Sequence, residues 1–154
     1  MLRLLFIFIF LINGCGEMNN SSWADYNRTI AQASMQNFTT EYLELVNNHR
    51  KGLGLTPFIH DEALASIAHV HSEDMACGAV SFGHTGFDLR CFETGFVFGK
   101  ETMCLENVAV GQRTPYAVYA AWMNSEADRI NIENIQSTHT GHRYLLPWVT
   151  WNRS

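Results

Sequence analysis

The residues able to do chemistry fall in three short runs in fixed order: Gly83-His84-Thr85-Gly86-Phe87-Asp88, Leu105-Glu106-Asn107-Val108-Ala109 and Ala121-Trp122-Met123-Asn124-Ser125. An imidazole beside a carboxylate can pass a proton or help hold a divalent metal. His84 and Glu106 are therefore the first pair expected to share a polar pocket, and Asp128 adds a carboxylate just past the third run. No serine or cysteine stands beside a base in a recognisable motif, so a hydrolase built on His84 and Glu106 would need an activated water.

The other histidines read as structural. His71 falls on an apolar helical stripe and is expected to face inward with its hydrogen bond satisfied, whereas His69 lies off the stripe and is expected nearer solvent. His139 and His142 sit in a β-prone run and are expected on an edge-strand surface.

The elements that must position these groups follow from periodicity and punctuation. Phe38, Tyr42, Leu45 and Val46 recur at helical spacing, with Thr39 or Thr40 as cap and Gly52 and Gly54 as stops. Asp61 caps a second helix with the stripe Leu64, Ile67, Ala68, His71 and Met75, ending near Gly78. The glycine-rich stretch 79–104 is expected to be irregular, and 105–111 to be a short strand or extended turn. Thr114-Pro115 opens a third helix buried through Val118, Ala121 and Trp122, and a short helical turn is expected from Glu126 to Glu133. Thr138–Tyr144 and Trp148–Trp151 are β-prone runs around Leu145-Leu146-Pro147, a hairpin pattern.

Length and composition set the frame. With 154 residues, 47% hydrophobic and 16% charged, the chain is long enough for one domain with its own core. Residues 1–14 stand apart from it. Arg3 precedes an unbroken apolar run, Leu4 to Ile12, that is too short to span a bilayer and reads as an export signal. Ile12-Asn13-Gly14-Cys15 resembles a bacterial lipobox, in which Cys15 would be acylated. An ordinary secretory signal is the alternative, and both readings export the chain. The lipobox reading places the mature protein in the cell envelope, lipid-anchored at the outer membrane or cell surface, with residues 15–37 as a tether and 38–154 as the domain. Removing residues 1–14 takes away Arg3 and moves the formal charge from −5 to −6. Such an acidic chain with no basic run excludes nucleic acid as an expected partner.

Four cysteines complete the inventory. Giving Cys15 to the lipid leaves an odd number. The favoured pair is Cys91 with Cys104, worth about 3 kcal/mol by the loop-entropy relation. Cys77, near a helix end, is then expected to be a small buried hydrophobe. Three reduced thiols are the alternative, disfavoured in an exported protein.

Together these segments resemble the CAP superfamily, the cysteine-rich secretory, antigen 5 and pathogenesis-related-1 proteins, in its bacterial form. The resemblance rests on Tyr42-Leu43-Glu44-Leu45-Val46-Asn47 with Arg50, Gly54-Leu55-Thr56-Pro57, and Ala68 to Met75. It continues through His84-Thr85-Gly86-Phe87-Asp88, Glu106-Asn107-Val108-Ala109, Trp122-Met123-Asn124-Ser125 and Arg129 with Asn131-Ile132. It implies an α+β fold, a three-layer α-β-α sandwich with a small antiparallel sheet. It also implies a cleft of two histidines and two acidic residues that in some members holds a divalent metal. His84 and Glu106 match the first histidine and glutamate, Glu126 or Ser125 the second glutamate, and Asp128 stands where the second histidine belongs. One imidazole with carboxylates is a harder donor set than two, so no resident metal or other cofactor is expected. The resulting expectation is a non-enzymatic, surface-exposed binding module for a host protein or a lipid. The alternatives are a metal-assisted hydrolase or protease, and lipid or sterol binding in a groove lined by Phe82, Phe92, Phe96 and Phe98.

Overall fold

The computed structural model describes residues 3–11, 22–99 and 102–144. Helix α1 runs Ser22–Gly52. Before Phe38 its described side chains are mostly exposed, and from Phe38 onward one face is buried at Phe38, Tyr42 and Val46. The helix therefore starts well inside the stretch expected to be a tether, while the core starts where the 3.6-residue periodicity does.

Helix α2, Glu62–Ala76, begins at Asp61, whose carboxylate accepts from the Ala63 and Leu64 amides. Those are two of the donors that a helix start leaves unpaired. Helix α4, Pro115–Asn124, opens on Thr114, whose hydroxyl accepts from the Ala117 amide, and α5, Glu126–Ile132, is capped by Ser125. Between α2 and the next strand lies α3, Phe87–Phe98, in the stretch expected to be irregular. Its start at Gly86 has φ of 78°, a conformation that costs glycine nothing and strains any side chain. The glycines read as loop residues therefore set the start of a helix.

The strands are β1 (Arg3–Leu11), β2 (Ile59–His60), β3 (Thr102–Val110) and β4 (Ser137–Tyr144). They form one sheet in the order β2-β4-β1-β3, and every pairing is parallel. This corrects the expected antiparallel sheet. Antiparallel neighbours arise from tight hairpins, and here each described strand reaches its neighbour through helices or across the sheet. Trp148–Trp151, the second arm of the expected hairpin, lies outside the described residues, as does Cys15.

The sheet separates two helical layers. Ala109 of β3 joins the cluster of Phe38, Tyr42, Val46, Phe58, Val118, Trp122 and Ile132 under α1, α4 and α5. Its neighbour Val108 packs on Ala68 and Met75 of α2. Successive strand residues point to opposite faces, so this one pair serves both layers of the α-β-α sandwich. On β4, a Cβ at Gly141 would sit 2.2 Å from the Ala65 nitrogen. Only glycine lets α2 lie this close to the strand.

Candidate functional site

Glu106 lies on β3 with 1% of its side chain exposed. A lone buried carboxylate would be costly, and this one is fully engaged. Arg90, on the inward face of α3, donates from Nε to Glu106 Oε2 at 2.8 Å and from Nη2 to Oε1 at 2.7 Å. This is the planar bidentate match of guanidinium to carboxylate. The Arg90 Nη1 donates to the Thr85 carbonyl at 2.7 Å, tying the His84 loop to the same centre. His84 Nδ1 donates to Glu106 Oε1 at 2.8 Å. Because the carboxylate only accepts, Nδ1 carries a proton, and in the neutral tautomer that this bond selects Nε2 is an acceptor. The His84 side chain is 53% exposed, so that face of the site is wet.

An open groove of about 240 Å³ runs beside these groups, lined by His84, Phe87, Cys104, Leu105, Glu106 and Asn131. Its far wall is held by a chain of amides. Asn131 Nδ2 donates to Asn107 Oδ1 at 2.8 Å, and Asn107 Nδ2 donates to the Asp128 carbonyl at 3.0 Å. Behind the groove His71, 3% exposed, donates from Nε2 to the Gly83 carbonyl at 2.9 Å. Burial holds its pKa below the usual histidine range. Its inward-facing, hydrogen-bonded role matches the reading from its stripe, and His69, less buried, pairs with Glu73 at 3.2 Å.

The four positions implied by the family resemblance are not gathered into one centre. His84 and Glu106 are joined. Glu126 is exposed in the first turn of α5, and Asp128 contributes its backbone carbonyl to Asn107. The Asp128 carboxylate acts instead on Tyr42, whose hydroxyl is raised well above the usual tyrosine range, first by burial and then by this charge. Among the described residues no three His, Cys, Asp or Glu side chains are close enough to hold a metal. Both oxygens of Glu106 already accept from Arg90. The donor set does not fit a resident divalent ion.

Cys91 and Cys104 are joined by a disulfide with Cα atoms 5.6 Å apart, fastening α3 to β3 next to Glu106. Cys77 is exposed and disulfide-bonded, which corrects the expectation of a small buried hydrophobe. A thiol at a helix end is as accessible to oxidation as to packing, and the sequence does not separate the two. His142 is a second correction. It is fully buried, with Nε2 donating to the Thr39 carbonyl of α1 at 2.9 Å, because β4 is an interior strand of the sheet and not an edge. His139 is half-buried, with its ring 5.6 Å from that of Phe98.

Of the four phenylalanines proposed to line a groove, Phe92 and Phe96 meet edge to face at 4.9 Å, and they are 64% and 77% exposed. With Leu89 and Val97 they form an uncovered apolar face of α3, while Phe82 is exposed on the preceding loop. Arg90 is the functional residue that sequence reading missed. It stands in the stretch read as irregular, where no helix was expected to turn it inward.

The amino-acid sequence between residues 43 and 144 matches the family model for CAP, the cysteine-rich secretory protein family. The chain is also 35% identical over 131 residues to the uncharacterized protein YkwD of Bacillus subtilis (strain 168), a match covering 81% of this chain. It spans about half of that relative's length, 49%. No solved structure matches. The ordered motifs, the sandwich and the family match agree, and the chain belongs to the cysteine-rich secretory protein family.

Proposed function

We propose that this protein is an exported binding module that engages its partner non-enzymatically, and that Cys15 carries a lipid anchor to the cell envelope in the form whose Cys77 thiol is reduced, since Cys91 pairs with Cys104 and four cysteines leave Cys77 no other disulfide partner within the chain. The observation that carries the binding reading is the uncovered face of α3. Leu89, Phe92, Phe96 and Val97 are each more than half exposed, and an apolar helix face left bare beside a groove is a mark of an interaction surface. The Arg90–Glu106 pair sits directly beneath this helix and holds it rigid against β3, which lowers the entropy lost when a partner docks. A lipid or sterol is the second reading of the same face, favoured by its aromatic character. A hydrolase remains the third, through the Nε2 of His84 acting on water.

Three measurements test this. A dye sensitive to apolar surface, such as anilinonaphthalene sulfonate, is expected to bind the full chain and to lose most of that signal in a Phe92→Ser, Phe96→Ser variant. Retained signal would remove α3 as the contact face. In parallel, turnover of fluorescent casein or a fluorogenic ester that disappears in His84→Ala would replace the binding module by the hydrolase. For the anchor, Cys15→Ser is expected to abolish incorporation of labelled acyl chains.

A further inference from the structure

The outward face of α3 is built from Leu89, Phe92, Glu93, Phe96 and Val97, all exposed and following one another at the steps of three and four that share a helix face. Its inward face is already committed, through the Cys91–Cys104 disulfide and the Arg90–Glu106 ion pair. Glu93 interrupts the apolar residues at their centre, four positions from both Leu89 and Val97 and three from Phe96. Among the described residues no arginine, lysine or histidine forms an ion pair with it. The one cation of α3, Arg90, is turned inward to Glu106. Asp88 adds a second exposed carboxylate on the same helix, and the chain carries a formal charge of −5.

A carboxylate set among phenylalanines decides what can cover them. A wholly apolar surface, or the interior of a bilayer, would strip Glu93 of its water and give it no partner, and an unpaired buried charge outweighs the gain from covering its apolar neighbours. A second copy of the same face would bring two Glu93 carboxylates together between two chains of like charge. A partner that places a cation here offsets the lost water with an ion pair in a partly dry setting. Shape narrows the choice further. Leu89, Phe92 and Phe96 form a ridge along the helix, and Leu89 to Val97 extends about 12 Å at 1.5 Å per residue. Such a narrow ridge fits the groove between side-chain rows of a second helix, which amphipathic helices offer through anchors at i, i+3, i+4 and i+7.

We propose that the outward face of α3 receives an amphipathic helix of a partner protein, one that carries an arginine or lysine within its apolar stripe and pairs it with Glu93. The inference rests on α3 being the contact face, and its test separates the two. The probe is a synthetic, fluorescein-labelled helical peptide of about five turns, with glutamines on one side and a leucine stripe on the other holding a single central arginine. Two further peptides replace that arginine by glutamine or by glutamate, and fluorescence anisotropy measures all three against the full chain. The arginine peptide is expected to bind about tenfold more tightly than the glutamine one, with the glutamate peptide weakest. Glu93→Gln is expected to erase this preference, and Glu93→Arg to invert it so that the glutamate peptide binds best. Both substitutions are at an exposed position and leave the inward face of α3 intact. Equal binding of the three peptides, lost in the Phe92→Ser, Phe96→Ser variant, overturns the basic partner while α3 stays the contact face. Binding that survives in that double variant overturns the contact face and the inference with it. If no peptide binds, the inference also falls. In that case self-association by sedimentation, or retention on phosphatidylcholine vesicles, abolished in the double variant, assigns the face to a second copy or to lipid instead.

Discussion

Among the described residues two guanidiniums are buried, and they are held in opposite ways. Arg90 faces a carboxylate, which shares its charge through two parallel hydrogen bonds. Arg50 is fully buried and faces main-chain carbonyls of Thr56, Ile132, Asn134 and Ser137, with its guanidinium carbon 3.8 Å from the centre of the Phe58 ring. Burial lowers its pKa to about 10, which still leaves it charged at neutral pH. The difference teaches what each centre can tolerate. A charge matched by one side chain can be removed together with its partner. A charge matched by backbone cannot, since the acceptors belong to the fold itself.

The comparison breaks most sharply at Arg50. Arg50→Met is expected to cost about 4 kcal/mol, because several buried carbonyls lose their donor, and no second substitution should restore it. Urea unfolding of the variant measures this, and a loss below about 1 kcal/mol would make the carbonyl cluster incidental. Arg90→Met is expected to cost about 3 kcal/mol by leaving Glu106 with His84 alone. Adding Glu106→Leu should recover most of that loss, as for other buried pairs replaced by apolar residues. Failure of the double variant to recover would place Arg90 in the same class as Arg50.

The smallest effect separates the pair by pH. His71 lies behind the Arg90 centre with its pKa held down by burial and, to a lesser degree, by the Arg90 charge. Above about pH 6.5 the imidazole is neutral in both folded and unfolded chains. As pH falls below that, the unfolded chain takes up a proton that the folded one resists, so stability is lost toward acid. Urea midpoints at pH 7.5 and 5.5 should fall further in the parent chain than in His71→Gln. Equal falls would show that His71 titrates alike in both states.

Much of this was legible in the sequence, and the exceptions share a cause. The caps at Asp61 and Thr114, the stripe through Leu64 and Ala68, and the buried face of Val118 and Trp122 are local patterns read from a few neighbouring residues. The direction of the sheet, the burial of His142 and the partner of Glu106 are decided by segments far apart in the chain. Periodicity reports which side of an element is apolar but not which distant element will cover it. Helix α3 was missed for a different reason. Its apolar residues are turned outward, so the stripe that normally announces a helix does not mark a buried face.

The chain makes Arg50 long before it makes the carbonyls that receive it, which lie 82, 84 and 87 positions later for Ile132, Asn134 and Ser137. Until those carbonyls arrive, the charge is better off in water, and the end of α1 has no reason to dock. The first half of the molecule therefore waits on the second. A chain emerging end first from a ribosome or an export channel keeps this helix undecided until α5 and the first residue of β4 are out, and this buried cation marks when the two halves can dock.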